Sequence, residues 1–155
     1  MHKVAPQIQE QISMPILHIA DATADALLEE KIGTAALLGT KYTMTQDFYK
    51  SRLARRGIQV LLPSAEDMDA IHAIIFTELC IGKISEPSRQ KLQEIIENLQ
   101  ARGAEGILLG CTELDMLIHP SDVSLPLFDT TVIHAKKAAH IAMEEQFSST
   151  NFKAI

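Results

Sequence analysis

The chain has 155 residues, 46% of them apolar and 22% charged, with a formal net charge of −6. That length suits one domain with a sizeable core, and the composition is that of a soluble globular chain. The acidic balance and the absence of any block of five like charges argue against nucleic acid as a partner. No apolar run approaches the roughly 18 residues needed to cross a membrane. Polar residues Gln7, Gln9 and Glu10, with Pro6, interrupt any signal-peptide pattern at the start. The two cysteines, Cys80 and Cys111, are far apart and form no C-x-x-C, so the expectation is a reduced cytoplasmic protein with no metal site.

Val4, Ile8 and Ile12 recur at four-residue spacing and predict a helix over 1–13, ended by Pro15. Residues 15–20, PILHIA, read as a short strand. Asp21 is the expected cap of a helix over 22–31, broken by Gly33. Residues 35–38 read as a strand that runs into Gly39-Thr40-Lys41-Tyr42-Thr43. A helix is expected from about Thr45 to Arg56, with Phe48, Tyr49 and Leu53 inward and Gly57 as its stop. A strand over 58–62 ends at Pro63. Ser64 to Asp67 has the form of a capping box, opening an amphipathic helix with Met68, Ile71, Ile75 and Leu79 inward. A further helix spans 85–102, with Leu92, Ile95, Ile96 and Leu99 on one face and Gly103 as its breaker. Cys80, Tyr42 and Phe48 read as packing residues.

The chain then reaches EGILLGCTELDML, residues 105–117. A short apolar run bounded by Gly110 suits a buried strand. Ligands in open α/β sheets bind outside the carboxyl ends of the strands. Cys111, Thr112 and Glu113 would then stand together at a site mouth. Read from the residues alone, a buried structural cysteine followed by a helix cap fits equally. A strand over 125–128 comes next, then a helix over 131–146 with Ala135, Ala138, Ala139 and Ala142 facing inward, and a frayed polar tail over 147–155. The alternation predicts an α/β fold, a parallel sheet with helices on both faces.

Gly110-Cys111-Thr112-Glu113-Leu114 resembles the second catalytic-cysteine motif of the aspartate/glutamate racemase family, cofactor-independent amino-acid racemases. LLGTKYTM at 37–44, SRQKLQEIIENLQARGAEGILLGCTEL at 88–114 and PLFDTTVIHA at 126–135 are similar to the family's text in the expected order. Glu113, where the glutamate racemase branch usually carries His, points to the aspartate or broad-specificity branch. The resemblance implies two similar α/β domains with the active site between them. It assigns 1–31 to the end of a first domain, 32–130 to a complete second domain, and 131–155 to a helix returning to the first domain and its tail. In the family a first catalytic Cys lies in a Cys-Asn-Thr motif often followed by Met-His-Lys or Ala-His-Lys. This chain begins Met1-His2-Lys3, so the expectation is that it lacks most of the first domain.

The resemblance also implies roles. Racemisation removes the Cα proton from one face and returns one to the other, so a thiol on each face can alternate as base and acid. Cys111 is the implied catalytic thiol, its pKa expected to be lowered by a helix N-terminus. Thr40 and Thr43 match the family's substrate-anchoring T-x-x-T, whose hydroxyls and free helix amides suit an anion; a helix cap by Thr43 is the other reading. Lys41 would attract a side-chain carboxylate, Thr112 the α-carboxylate, and Glu113 would position the ammonium group or tune the thiol. Asp129-Thr130 and His134 match the family's segment after its last strand. The implied substrate is a small acidic amino acid, with no cofactor, no metal, and a homodimer among the expected assemblies. The chain on its own is expected to be inactive. Two other functions compete: a remnant that binds an amino acid or a partner chain without turnover, and a one-thiol decarboxylase like the arylmalonate enzymes of the same fold.

Overall fold

The computed structural model describes residues 2–150, with side chains as far as Glu144 in the last helix. Met1 and 151–155, parts of the helix and tail expected at the two ends, lie outside the described residues. Among the described residues the sheet has four parallel strands in the order β2-β1-β3-β4. They are β1 (Thr34–Leu38), β2 (Gln59–Leu61), β3 (Gly106–Leu109) and β4 (Leu127–Asp129). The two central strands, β1 and β3, register Ala35 with Gly106 through Leu38 with Leu109. Both are apolar and buried, as expected where each face of a parallel sheet is covered.

The helices are α1 (Ala5–Gln9), α2 (Ile19–Glu29), α3 (Lys41–Thr45), α4 (Asp47–Arg55), α5 (Ala65–Thr77), α6 (Glu86–Ala101) and α7 (Thr130–Thr150). On one face of the sheet Ile71 and Ile75 of α5 and Leu92, Ile96 and Leu99 of α6 pack against Ala36, Ile107 and Leu109. On the other face Ala20, Ala24 and Leu27 of α2 and Tyr49 and Leu53 of α4 pack against Ala35, Leu37 and Leu108. α7 lies beside α2, where Lys137 and Arg56 share the Asp25 carboxylate. The capping expected at Ser64 is present, its Oγ accepting from the Asp67 amide at 3.1 Å, and Ser85 caps α6 in the same way, its Oγ accepting from the Ser88 amide at 3.3 Å.

Several expectations are corrected. Residues 15–18 are not a strand, because they lie at no sheet edge that could satisfy a ladder; α2 begins at Ile19 instead. His18, not Asp21, caps it: its Nδ1 accepts from the Ala20 amide at 3.1 Å, while Asp21 pairs with Arg52 at 2.6 Å. The turn after α2 is made by Lys31 at φ 60, and the Gly33 amide is held by Glu105 Oε2 at 2.7 Å. The helix expected over 1–13 is a 3-10 turn (His2–Val4) plus α1, and Val4, Ile8 and Ile12 are exposed. The helix expected from Thr45 starts earlier, at Lys41, and is broken at Gln46, whose ψ of 150° is extended. Tyr42 is exposed. The alanine stripe of α7 faces solvent; Ile133, His134, Lys137 and Ile141 are its partly buried positions.

Candidate functional site

β1 and β3 are neighbours and parallel, so the segments leaving them emerge side by side at one edge of the sheet. Glycine permits the close approach there. A Cβ on Gly110 would lie 2.9 Å from the Leu38 carbonyl oxygen and 3.5 Å from Thr43 Cγ2. The Gly110 amide donates to that same Leu38 carbonyl at 2.7 Å. Thr43 is thereby set against the residue preceding Cys111, and the two threonines and the thiol share one edge.

Thr40 is the N-cap of α3; its hydroxyl accepts from the Thr43 amide at 3.3 Å and lies 3.1 Å from the Thr43 hydroxyl. The cap is therefore Thr40 rather than Thr43. Lys41, the first residue of α3, is exposed and turns toward α5. Its ammonium pairs with Asp69, and its amide donates to His72 Nδ1 at 3.3 Å. Lys41 thus stands on the same edge as Thr40 and Thr43 but is engaged by α5. Asp69 and His72 carried no signal in the sequence, because only the fold brings α5 onto α3.

Beyond β3, Cys111 is half-buried and its Sγ–H donates to Glu113 Oε2 at 2.8 Å. The Thr112 hydroxyl donates to the same oxygen at 2.8 Å. Burial first, and then the hydrogen bond to the Glu113 carboxylate, push the Cys111 thiol up to about 12. Glu113 is held below the ordinary carboxylate range, first by the thiol and then by Thr112. This overturns the expected lowering of the thiol by a helix N-terminus. The chain beyond Cys111 forms only a 3-10 turn, Leu114–Met116, so no run of aligned peptide dipoles points at the sulfur. The site as it stands holds a neutral thiol beside an ionised carboxylate.

At the end of β4, Asp129 caps α7, accepting from the Thr131 and Val132 amides at 2.8 and 3.1 Å. His134 Nε2 lies 2.9 Å from the Leu17 carbonyl, tying α7 to the segment before α2. Cys80 is exposed on the 3-10 turn Leu79–Ile81, not packed in the core; Leu79 takes the buried position in its place.

An open parallel α/β sheet with a thiol, hydroxyls and a carboxylate at the carboxyl ends of its central strands is the architecture of a small-molecule site at a sheet edge. The chain belongs to the Asp/Glu/hydantoin racemase family, whose sequence model matches residues 1–138. A crystal structure of a candidate Asp/Glu racemase from Yersinia pestis superimposes with a TM-score of 0.90 at 48% identity, over 92% of this chain and 63% of that one. An aspartate racemase homologue from Pyrococcus horikoshii gives 0.85 at 36% identity, over 92% of this chain and 62% of that one. A glutamate racemase isoform from Bacillus anthracis shares the fold, with a TM-score of 0.67 at 16% identity, over 93% of this chain and 55% of that one. The chain thus spans less than two thirds of the length of these relatives.

Proposed function

We propose that this chain carries one half of the proton-transfer apparatus of a cofactor-independent aspartate/glutamate-type racemase, with Cys111 as the thiol on one face of the substrate Cα. The observation that carries the reading is the Cys111–Glu113 hydrogen bond at the carboxyl end of β3, beside the Thr40–Thr43 pair at the end of β1. Thr40 and Thr43 present hydroxyls to the α-carboxylate, with Thr112 at the opposite side of the mouth. Lys41 takes a side-chain carboxylate in exchange for Asp69, which gives the preference for acidic amino acids. The substrate ammonium group approaches Glu113. Its positive charge offsets the carboxylate, relaxes the hold on the thiol and frees the Sγ proton for Cα.

In this state Cys111 is the acid: a protonated thiol can deliver a proton to the carbanion-like carbon, and the base must stand on the opposite face. The second thiol of the family mechanism would come from a first α/β domain. The division at 31/32 and the return of α7 to that domain belong to this proposal, as do cytoplasmic location and pairing into a homodimer. Cys80, exposed on the 3-10 turn Leu79–Ile81, is not the second thiol of this proposal.

The test is Cys111→Ser in a full-length protein that includes a first domain bearing the Cys-Asn-Thr motif. Racemisation should fall by several orders of magnitude, since an alcohol ionises far less readily than a thiol, which makes it a far weaker proton donor and leaves almost no anionic base near neutral pH, while the fold persists because the change is nearly isosteric. Turnover within tenfold of the parent would remove Cys111 from the mechanism. A second reading, amino-acid binding without turnover, draws support from the thiol being held protonated; it calls for substrate binding in that full-length protein with no Cα exchange.

A further inference from the structure

The short helix α3, Lys41–Thr45, carries Lys41 and Thr43 just beyond β1, and α5 grips its first residue at two points. So short a helix gains little from its own hydrogen bonds, and its place depends on outside partners. Met44 is buried in the core and anchors one side of it. The Thr43 amide donates to the Thr40 hydroxyl at 3.3 Å. The Lys41 amide donates to His72 Nδ1 at 3.3 Å, and the Lys41 ammonium pairs with Asp69. Asp69 and His72 are three residues apart on α5, so they share one face of it. The half-buried His72 ring packs on Phe76, with ring centroids 4.7 Å apart. An imidazole nitrogen that accepts from an N–H carries no proton, so His72 is neutral here, with its proton on Nε2.

We propose that His72 is a positioning residue for the Thr40–Thr43 segment: its Nδ1 holds the Lys41 main chain in place while the Lys41 side chain exchanges Asp69 for a substrate carboxylate. This role rests on the reading of Thr40, Lys41 and Thr43 as the substrate anchor. The two α5 residues divide the work. Asp69 grips the flexible end of Lys41 in an exposed pair, which a competing carboxylate can displace at little cost. His72 grips the backbone, which no substrate group replaces. Without it, release of the ammonium would free the first residue of α3 altogether, and the Thr40 and Thr43 hydroxyls would lose their common setting. Protonation of His72 removes the acceptor and turns a donor toward the Lys41 amide. The anchor is therefore set in the neutral state of this side chain. The charged groups at the contact are the Lys41 ammonium from α3 and the Asp69 carboxylate from α5 itself. Of the other elements packed on α5, α6 ties Lys91 to Asp67 and Ser88 to Glu78, and the 3-10 turn Leu79–Ile81 carries the exposed Cys80.

Amide hydrogen exchange, followed by NMR in the full 155-residue chain, reads this hold without substrate or turnover, so its failure is distinct from a failure of the racemase reading. The Lys41 and Thr43 amides report on the anchor, and the Leu108 amide in β3 reports on the fold as a whole. His72→Leu keeps an apolar contact for Phe76 and removes the acceptor. Protection of Lys41 should fall about three- to tenfold, the worth of one net hydrogen bond, with Leu108 unchanged. His72→Asn, whose Oδ1 can take the place of Nδ1, should restore it. Asp69→Asn alone should leave Lys41 and Thr43 protected, and Asp69→Asn with His72→Leu should release both. In the parent, Lys41 protection, corrected for the intrinsic effect of pH on exchange, should decline in step with protonation of the His72 ring; in His72→Asn it should stay flat. Parent-like protection of Lys41 in His72→Leu overturns the role, as does protection that holds constant through the His72 titration. Equal loss at Leu108, loss at Thr43 in Asp69→Asn alone, or a His72→Asn variant that behaves like His72→Leu would overturn it too.

Discussion

Replacing Glu113 by Gln should make Cys111 more reactive, not less. The amide oxygen can still accept from the thiol and from Thr112, so the variant removes the negative charge while leaving the shape of the site. In the parent that charge sits one hydrogen bond, 2.8 Å, from Sγ. A unit charge at about 4 Å is worth about 1 kcal/mol in water and about 4 kcal/mol at an effective dielectric constant of about 20. The thiol is half-buried and the carboxylate is largely hydrated, so screening brings the value toward the lower end. About 1.4 to 2.7 kcal/mol corresponds to a fall of about one to two units in the thiol pKa. Burial is the larger cause of the elevation, so Cys111 in Glu113→Gln should still titrate above an ordinary cysteine. At pH 8 the thiolate fraction rises about tenfold to a hundredfold, and the lower nucleophilicity of a less basic thiolate reduces the gain in rate to about threefold to tenfold. The assay is iodoacetamide alkylation in a Cys80→Ser background, monitored by mass spectrometry from pH 7 to 10. A Glu113→Gln variant that alkylates at the parent rate or more slowly would show that Glu113 does not hold the thiol proton.

Gly110→Ala places a methyl 2.9 Å from the Leu38 carbonyl and should cost about 1–3 kcal/mol in urea unfolding, with the strand ends pushed apart; an unchanged midpoint would refute the close approach. Burial, and next the Arg52 charge, lower the His18 pKa, so the unfolded chain binds the extra proton first. The His18 contribution is therefore intact above the ordinary imidazole value near 6.5 and declines as pH falls through the lowered folded value. Hydrogen exchange at the Ala20 amide, whose partner is His18 Nδ1, should lose protection below about pH 6; constant opening free energy from pH 7 to 5 would refute it. Asp69→Asn should free Lys41 and tighten L-aspartate binding in a full-length protein, while stability changes by less than about 1 kcal/mol, because the pair is exposed; calorimetry showing weaker binding would remove Lys41 from the specificity reading.

The parallel sheet was legible because its central strands are short, unbroken apolar runs bounded by glycine, and α5 and α6 because their apolar residues recur at helical spacing, after the Ser64 capping box in one and before the Gly103 breaker in the other. PILHIA misled because an apolar run reports burial without reporting a partner strand, and here the sheet has no edge beside it. The alanines of α7 misled because small size marks a close approach only where another element arrives; α2 meets the flank bearing Ile133 and Lys137 instead. The candidate site was marked by motif, and the fold sets its residues near one another: Thr40, Thr43, Cys111, Thr112 and Glu113 come just after the two strands that the sheet makes adjacent. The charge state of the thiol could not be read from the motif, because it depends on the 3-10 turn after Cys111 and on which way the Glu113 side chain points. Tyr49, read only as a packing residue, also escaped notice as a hydrogen-bonding one, because Thr23, 3.0 Å from its hydroxyl, reaches it from a distant part of the chain.

In the proposed function this chain supplies one proton-transferring thiol and needs another on the opposite face of Cα. The most direct test is to incubate the purified 155-residue chain with L-aspartate and L-glutamate in D₂O, tracking Cα exchange by NMR and chirality by chromatography. No D-enantiomer should accumulate, and any Cα exchange should be slow and retain configuration. Steady conversion to the D-enantiomer would contradict that reading and would require a second acid already present in this chain or in a second copy of it.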